Sequence, residues 1–205
     1  MPRPSIIKQS LLPLVVLLVL GTGAAGFWIW RGGGLPEPLQ AFLPSPKGSL
    51  EIRLKDHREA IGDFTKLEVS VKVVRLSPKT DRPGAKAEWR ELSPLINKVD
   101  LTLYTGKDSA VIFNGKLPQG HFEAIHLKLD PIKGILKNNQ KEVPIENLTS
   151  PIKLPFSIHP STETGIVLDL VVVDISDHPP RGYELHIKGY ELYTGGRLID
   201  KIPPV

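Results

Sequence analysis

Cysteine is absent from the 205 residues. With it go disulfide frameworks, cysteine nucleophiles, thiolate metal sites, c-type haem attachment and a lipobox thioether. Aromatics are sparse at 6%. Two of the three tryptophans, Trp28 and Trp30, fall inside an N-terminal apolar run, which leaves Trp89 alone in the rest of the chain. A pocket built from converging aromatic and polar side chains has little to draw on. There is no Gly-x-Ser-x-Gly elbow, phosphate-binding Gly-Lys loop, His-Glu-x-x-His helix or dinucleotide fingerprint. The sequence therefore supports no enzyme chemistry and calls for no cofactor, and no catalytic residue is nominated.

Charge is missing from Ser10 to Trp30, which reads Leu11-Leu12-Pro13-Leu14-Val15-Val16-Leu17-Leu18-Val19-Leu20 and continues through Gly21 to Trp30. That run reaches the roughly 20 apolar residues a helix needs to cross about 30 Å of hydrocarbon. Trp28, Trp30 and Arg31 at its outer end have the character of a membrane-interface belt. Arg3 and Lys8 precede the run and Arg31 alone follows it closely, so positive charge predicts a cytoplasmic N-terminus and an extracytoplasmic C-terminal domain. The alternative is a cleaved secretory signal cut near Gly23-Ala24-Ala25. Against it, Phe27-Trp28-Ile29-Trp30 prolongs the apolar run past that cut. The expected organisation is a cytoplasmic N-terminus at 1–9, a transmembrane anchor at 10–30, a Pro/Gly linker at 31–47, and one β-domain at 48–205 in the periplasm, lumen or cell surface. Lipid is the partner of the helix.

The balance of 26 basic to 22 acidic residues suggests a polyanion partner until the charges are located. Arg3, Lys8, Arg31 and Lys47 against Glu37 account for three of the four net positive charges, and one is left for everything after Lys47. A nearly neutral domain with interspersed signs lacks the clustered basic face of a phosphate binder, so nucleic acid is excluded as a partner.

Beyond Lys47 the hydrophobic period is two. Leu50, Ile52 and Leu54 alternate with Glu51, Arg53 and Lys55, and Leu67, Val69, Val71 and Val73 alternate with Glu68, Ser70 and Lys72. The register then skips to Val74 and Leu76, as a β-bulge would make it. Further strands are expected from Ala87 to Leu92 around a core Trp89, through Val99, Leu101 and Leu103, at Ala110–Phe113 and at His121–Leu129. A hairpin at 132–145 turns on Lys137-Asn138-Asn139-Gln140. Ile152–Ile158, the β-branched Gly165–Asp174 in a central position, and Tyr183–Leu192 complete the set. Asp56–Phe64 alone suits a helical turn. Leu117-Pro118-Gln119-Gly120 is read as a reversal in which Gly120 supplies a positive φ. About ten short strands with Pro/Gly punctuation predict an all-β fold, an antiparallel β-sandwich of immunoglobulin/transthyretin-like type preceded by one transmembrane helix.

The opening Gly48-Ser49-Leu50-Glu51-Ile52-Arg53-Leu54-Lys55-Asp56 and the Lys66–Leu76 strand carry a resemblance. So do Val99-Asp100-Leu101, Leu117 to Leu127 and Ile166-Val167-Leu168-Asp169-Leu170. Over residues 48 to 193 the chain resembles the bacterial envelope family called domain of unknown function 4382. The resemblance implies an exported β-domain and no activity or catalytic residue. Relatives of that kind look like secreted lipoproteins, and the missing lipobox cysteine puts a membrane helix in the place of the lipid.

Dispersed histidines argue against a metal centre, and His121 and His126, an odd number apart on one strand, point to opposite faces. Asp174, Asp177 and His178 form the one metal candidate, oxygen and nitrogen donors in the loop after the central strand. Their alternative is an Asx-turn in a solvated loop. Asp169 stands too far along the strand to join them. Asn147-Leu148-Thr149 matches a glycosylation sequon but carries little weight in an envelope protein of bacterial character. These features point to a non-enzymatic, single-pass membrane-anchored β-domain that binds a protein partner, as an accessory subunit of a membrane complex. The alternative is an envelope domain for carbohydrate, a small ligand or a metal, or a cryptic hydrolase.

Overall fold

The alternating pattern after Lys47 folds as strands with one dry and one wet face. Leu50, Ile52 and Leu54 are buried, while Glu51, Arg53 and Lys55 between them face outward. The computed structural model describes residues 45–80, 88–177 and 182–202. The anchor 10–30, its Trp28, Trp30 and Arg31, and most of the linker 31–47 lie outside the described residues. Among those described, no helix is long and apolar enough to cross a membrane.

The fold is all-β. The strands are β1 (Lys47–Asp56), β2 (Phe64–Pro78), β3 (Arg90–Leu92), β4 (Lys98–Asp100), β5 (Ala110–Pro118) and β6 (Gly120–Leu129). They continue as β7 (Ile132–Leu136), β8 (Glu142–Asn147), β9 (Ile152–Ile158), β10 (Glu163–Asp174), β11 (Tyr183–Thr194) and β12 (Arg197–Ile202). Short 3-10 turns occupy Ala60–Asp63, inside the expected helical segment, and Leu101–Leu103. The strands form one open sheet in the order β5-β1-β10-β11-β8-β7-β2-β6-β9, with β12 beside β11 and with β3 and β4 beside β2.

β2 makes the sheet turn. Its first half pairs with β7 and β4, and its second half with β6 and β3. The register shifts between Val71 and Val73, where the alternation in the sequence skips. Lys72 is exposed there, and Val74 and Leu76 resume the buried row. A bulge inserts one residue and bends the strand, so the skip is the physical cause of the turn. Inside, Phe64, Leu67, Ile112, Ile125, Leu127 and Leu154 belong to a single buried cluster with Ile52, Leu168 and Leu170. Each such side chain contributes roughly 1.5–3 kcal/mol on burial.

Several expectations are corrected. The sheet is mixed rather than antiparallel: β1 runs parallel to β10, and β8 parallel to β11. These neighbours lie far apart in the chain, so no hairpin dictates their direction. The expected strand through Leu103 ends at Asp100. The Asp100 carboxylate accepts from Thr102 N at 3.1 Å, Thr102 Oγ1 at 2.7 Å and Leu67 N at 3.2 Å, which caps a 3-10 turn and leaves Leu103 exposed. Trp89 precedes β3 and is half-buried outside the core, with Arg75 stacked 5.4 Å from its ring and the edge of His126 at 6.3 Å. Pro118 closes β5 and Gly120 opens β6, but Gly120 is not among the positive-φ glycines, so the corner is built with ordinary backbone geometry. Gln119 N holds it by donating to Pro46 O at 2.8 Å.

Candidate functional site

The outer face of β1, β10 and β11 is where pairing register brings charge together. Parallel pairing sets Arg53 beside Val167 and Lys55 beside Asp169. Antiparallel pairing of β10 with β11 sets Val167 opposite Glu191 and Asp169 opposite Gly189. Because Gly189 has no side chain, Lys55 reaches across to both carboxylates. Its Nζ lies 3.0 Å from Glu191 Oε1 and 3.8 Å from Asp169 Oδ2. His57, just past the end of β1, brings Nδ1 to 3.6 Å from Asp169 Oδ2. From β12, Lys201 Nζ meets Glu191 Oε1 at 3.2 Å, and Tyr193 donates its hydroxyl to Glu191 Oε2 at 2.7 Å.

The two carboxyls are driven in opposite directions. Burial opposes ionisation of Glu191, but hydrogen bonds from Tyr193, Lys55 and Lys201 outweigh it and hold its pKa near 2. Asp169 is raised above the usual carboxylate range, first by burial and then by the Glu191 charge, with Lys55 and His57 opposing. Its Oδ1 is buried without a hydrogen-bond partner. A second buried carboxyl, Asp56, ends β1 on the inner face. Burial pushes it up to about 6 although Arg58 N donates to its Oδ1 at 2.7 Å.

Beside this network runs a groove of about 410 Å³. Arg53, Lys55, Lys107, Glu163, Glu191 and Tyr193 supply its polar lining, and Gly106 and Gly196 come from loops at its rim. Most of these charges are engaged with one another, as Arg53 Nε is with Glu51 at 2.6 Å. Tyr193 is the one aromatic in the lining. Trp89, Tyr104 and the Asp174 loop are not part of that lining.

Asp174 ends β10 and Asp177 lies in the turn that follows it. Asp174 Oδ1 accepts from Ser176 N at 2.8 Å and from the Ser176 hydroxyl, the Asx-turn geometry, and the Ser176 hydroxyl lowers the Asp174 pKa. His178 lies outside the described residues. Among the described residues no group of three His, Asp or Glu could hold a metal ion. Asp169 belongs to the Lys55 network, which sequence reasoning missed. His121 bonds Ser157 Oγ at 2.7 Å on the exposed surface. His126 is held below its ordinary pKa by burial and by Arg75 and Lys128. In the sequon, Asn147 Oδ1 accepts from Thr149 N and Oγ1, a local turn.

The second surface of note is β12. Among the described strands it pairs with β11 alone, and all six of its residues are exposed. The register slips at Ile199, the extra residue of a bulge. Two of the strand's three charged residues turn back toward β11, Asp200 accepting from Tyr190 OH at 2.7 Å and Lys201 reaching Glu191. That leaves Leu198 52% exposed, Ile199 59% and Ile202 42% along an open edge. The edge of β5, by contrast, is capped by Leu95 N donating to Ile112 O at 2.8 Å.

A family model described as domain of unknown function (DUF4382) matches residues 47–186. No curated protein and no solved structure matches the chain.

Proposed function

Because the chain belongs to the family of domain of unknown function 4382, whose model covers most of its β-domain, we propose a role argued from geometry alone: a membrane-tethered, non-enzymatic β-domain that binds a protein partner. The observation that carries this reading is the open, apolar edge of β12. An unpaired edge presents a row of free N–H and C=O groups to an incoming strand, and alternate side chains then supply specificity. Monomeric proteins blunt such edges with charge, and here two of the three charged side chains, Asp200 and Lys201, are drawn off to Tyr190 and Glu191.

The long sheet, bent at β2, supports reading the domain as a sandwich of immunoglobulin/transthyretin-like type. The uncharged Ser10–Trp30 segment supports a single-pass anchor with the domain on the extracytoplasmic side, where it acts as an accessory subunit of a membrane complex. Gentle-detergent purification of the full-length protein from its native membrane should bring a stoichiometric companion with it. Recovery of the chain alone, under conditions that preserve other complexes of the same membrane, contradicts the reading.

The groove at Arg53, Lys107 and Tyr193 favours one alternative, a small polar envelope ligand such as a carbohydrate. Its internally paired charges and single aromatic supply few free contacts. Saturable sugar binding abolished by Tyr193→Ala would support it over the partner reading.

A further inference from the structure

Lys55 and Asp169 are direct neighbours on two parallel strands, and their side chains are only 14% and 7% exposed. Nζ stands 3.8 Å from Oδ2, and nothing hydrogen-bonds to Oδ1. Glu191 touches the same amine at 3.0 Å and is itself fixed by Tyr193 and Lys201. Gly189, opposite Asp169, places no side chain over the carboxyl. An amine and a carboxyl are thus held close and largely shielded from water, with a second carboxylate on the same amine.

We propose that Lys55 and Asp169 are joined by an intramolecular isopeptide bond, with Glu191 holding the amine in place. Burying an ammonium and a carboxylate costs free energy that their mutual attraction only partly returns. Condensation removes both charges and leaves an amide. The raised pKa of Asp169 favours the protonated carboxyl that the reaction needs.

The Lys55 ammonium passes one proton directly to Asp169 Oδ2, 3.8 Å away. The free amine attacks Asp169 Cγ and forms the C–N bond. A second proton then passes from the attached nitrogen to the carboxyl hydroxyl, the C–O bond breaks, and water leaves. One ammonium and one carboxylate become one secondary amide and one water, with no oxidation or reduction. In a chain without cysteine, this bond would tie the first strand to the central one as a disulfide does elsewhere, by constraining the unfolded chain. It is independent of any partner at β12.

The test is peptide mapping by tandem mass spectrometry on full-length protein purified from membranes. The expected product is a branched peptide joining the Lys55 and Asp169 segments, lighter than the two by one water, with trypsin no longer cutting after Lys55. Lys55→Arg and Asp169→Ala should each give linear peptides alone, and Glu191→Gln should leave a large uncrosslinked fraction in freshly made protein. Linear peptides alone from the wild-type chain, or a water loss confined to the Asp169 peptide as a cyclic imide, would overturn the bond. Full crosslinking in Glu191→Gln would overturn the positioning role of Glu191.

Discussion

Gly134 lies flat against the ring of Phe64: a Cβ built on it would sit 2.4 Å from both Cδ1 and Cε1. Phe64 is almost wholly buried and packs edge-on to Tyr183 at 4.8 Å between ring centroids. The ring has no room to withdraw, because interiors are packed as densely as organic crystals. Gly134→Ala is therefore expected to destabilise the domain by about 1–3 kcal/mol, the range for overpacking a filled core. Urea unfolding measures it, and an unchanged midpoint would show that the contact is looser than described.

Asp100 is the second test. One carboxylate oxygen gathers Thr102 N, Thr102 Oγ1 and Leu67 N, tying the 3-10 turn to β2. Asp100→Ala removes all three and should cost on the order of 1–2 kcal/mol, as loss of a helix cap does. Asp100→Asn keeps an acceptor and should cost less than half of that. Equal losses in the two variants would mean that charge, not hydrogen bonding, matters at this position.

Asp100 also bears on what could be read before the fold was known: apolar alternation predicts a strand through Leu103, and the carboxylate's bond to Leu67 in another strand is not visible in the sequence. The Asp174–Ser176 turn and the hairpin of β7 and β8 are local, each decided within a few residues. The inside-out alternation of β1 and the bulge in β2 are local as well, since side-chain direction follows sequence parity. Parallel pairing of β1 with β10 is decided by chain segments far apart and has no sequence signal of its own. The Lys55, Asp169 and Glu191 network is a product of that register, so it was invisible too. β12 escaped notice because a strand wet on both faces has no alternation: Arg197-Leu198-Ile199-Asp200-Lys201-Ile202 offers no period to detect. Trp89 was misplaced because its partners, Arg75 and His126, belong to neighbouring strands.

Asp56 makes stability depend on pH. Its carboxyl titrates near 6 in the folded protein against 3.8 without the fold. The folded state thus holds the proton more tightly, so stability is greatest below the lower value. It falls as pH rises through this window and stays reduced above it, by on the order of 1–2 kcal/mol after allowance for screening. Asp56→Asn retains the acceptor for Arg58 N and removes the titration. The variant should match wild type at the acid end of the window and exceed it at neutral pH, as read by denaturant melts across the range. Parallel pH profiles for the two proteins would contradict the assignment.

The β12 edge makes its own demand. Leu198→Lys and Ile199→Lys lie on exposed positions, so each should change stability by no more than about 0.5 kcal/mol. The same substitutions should abolish recovery of a companion protein from detergent extracts. A loss of fold in either variant, seen by circular dichroism, would show that β12 is structural rather than an open edge.

The most direct measurement places a photo-crosslinking amino acid at Ile199 in the full-length protein and irradiates intact native membranes, with the exposed Lys72 position on β2 as control. The account predicts one discrete adduct to a protein partner from Ile199 and none from Lys72. The same faint ladder from both positions, or no adduct from either, would contradict a partner-binding edge at β12.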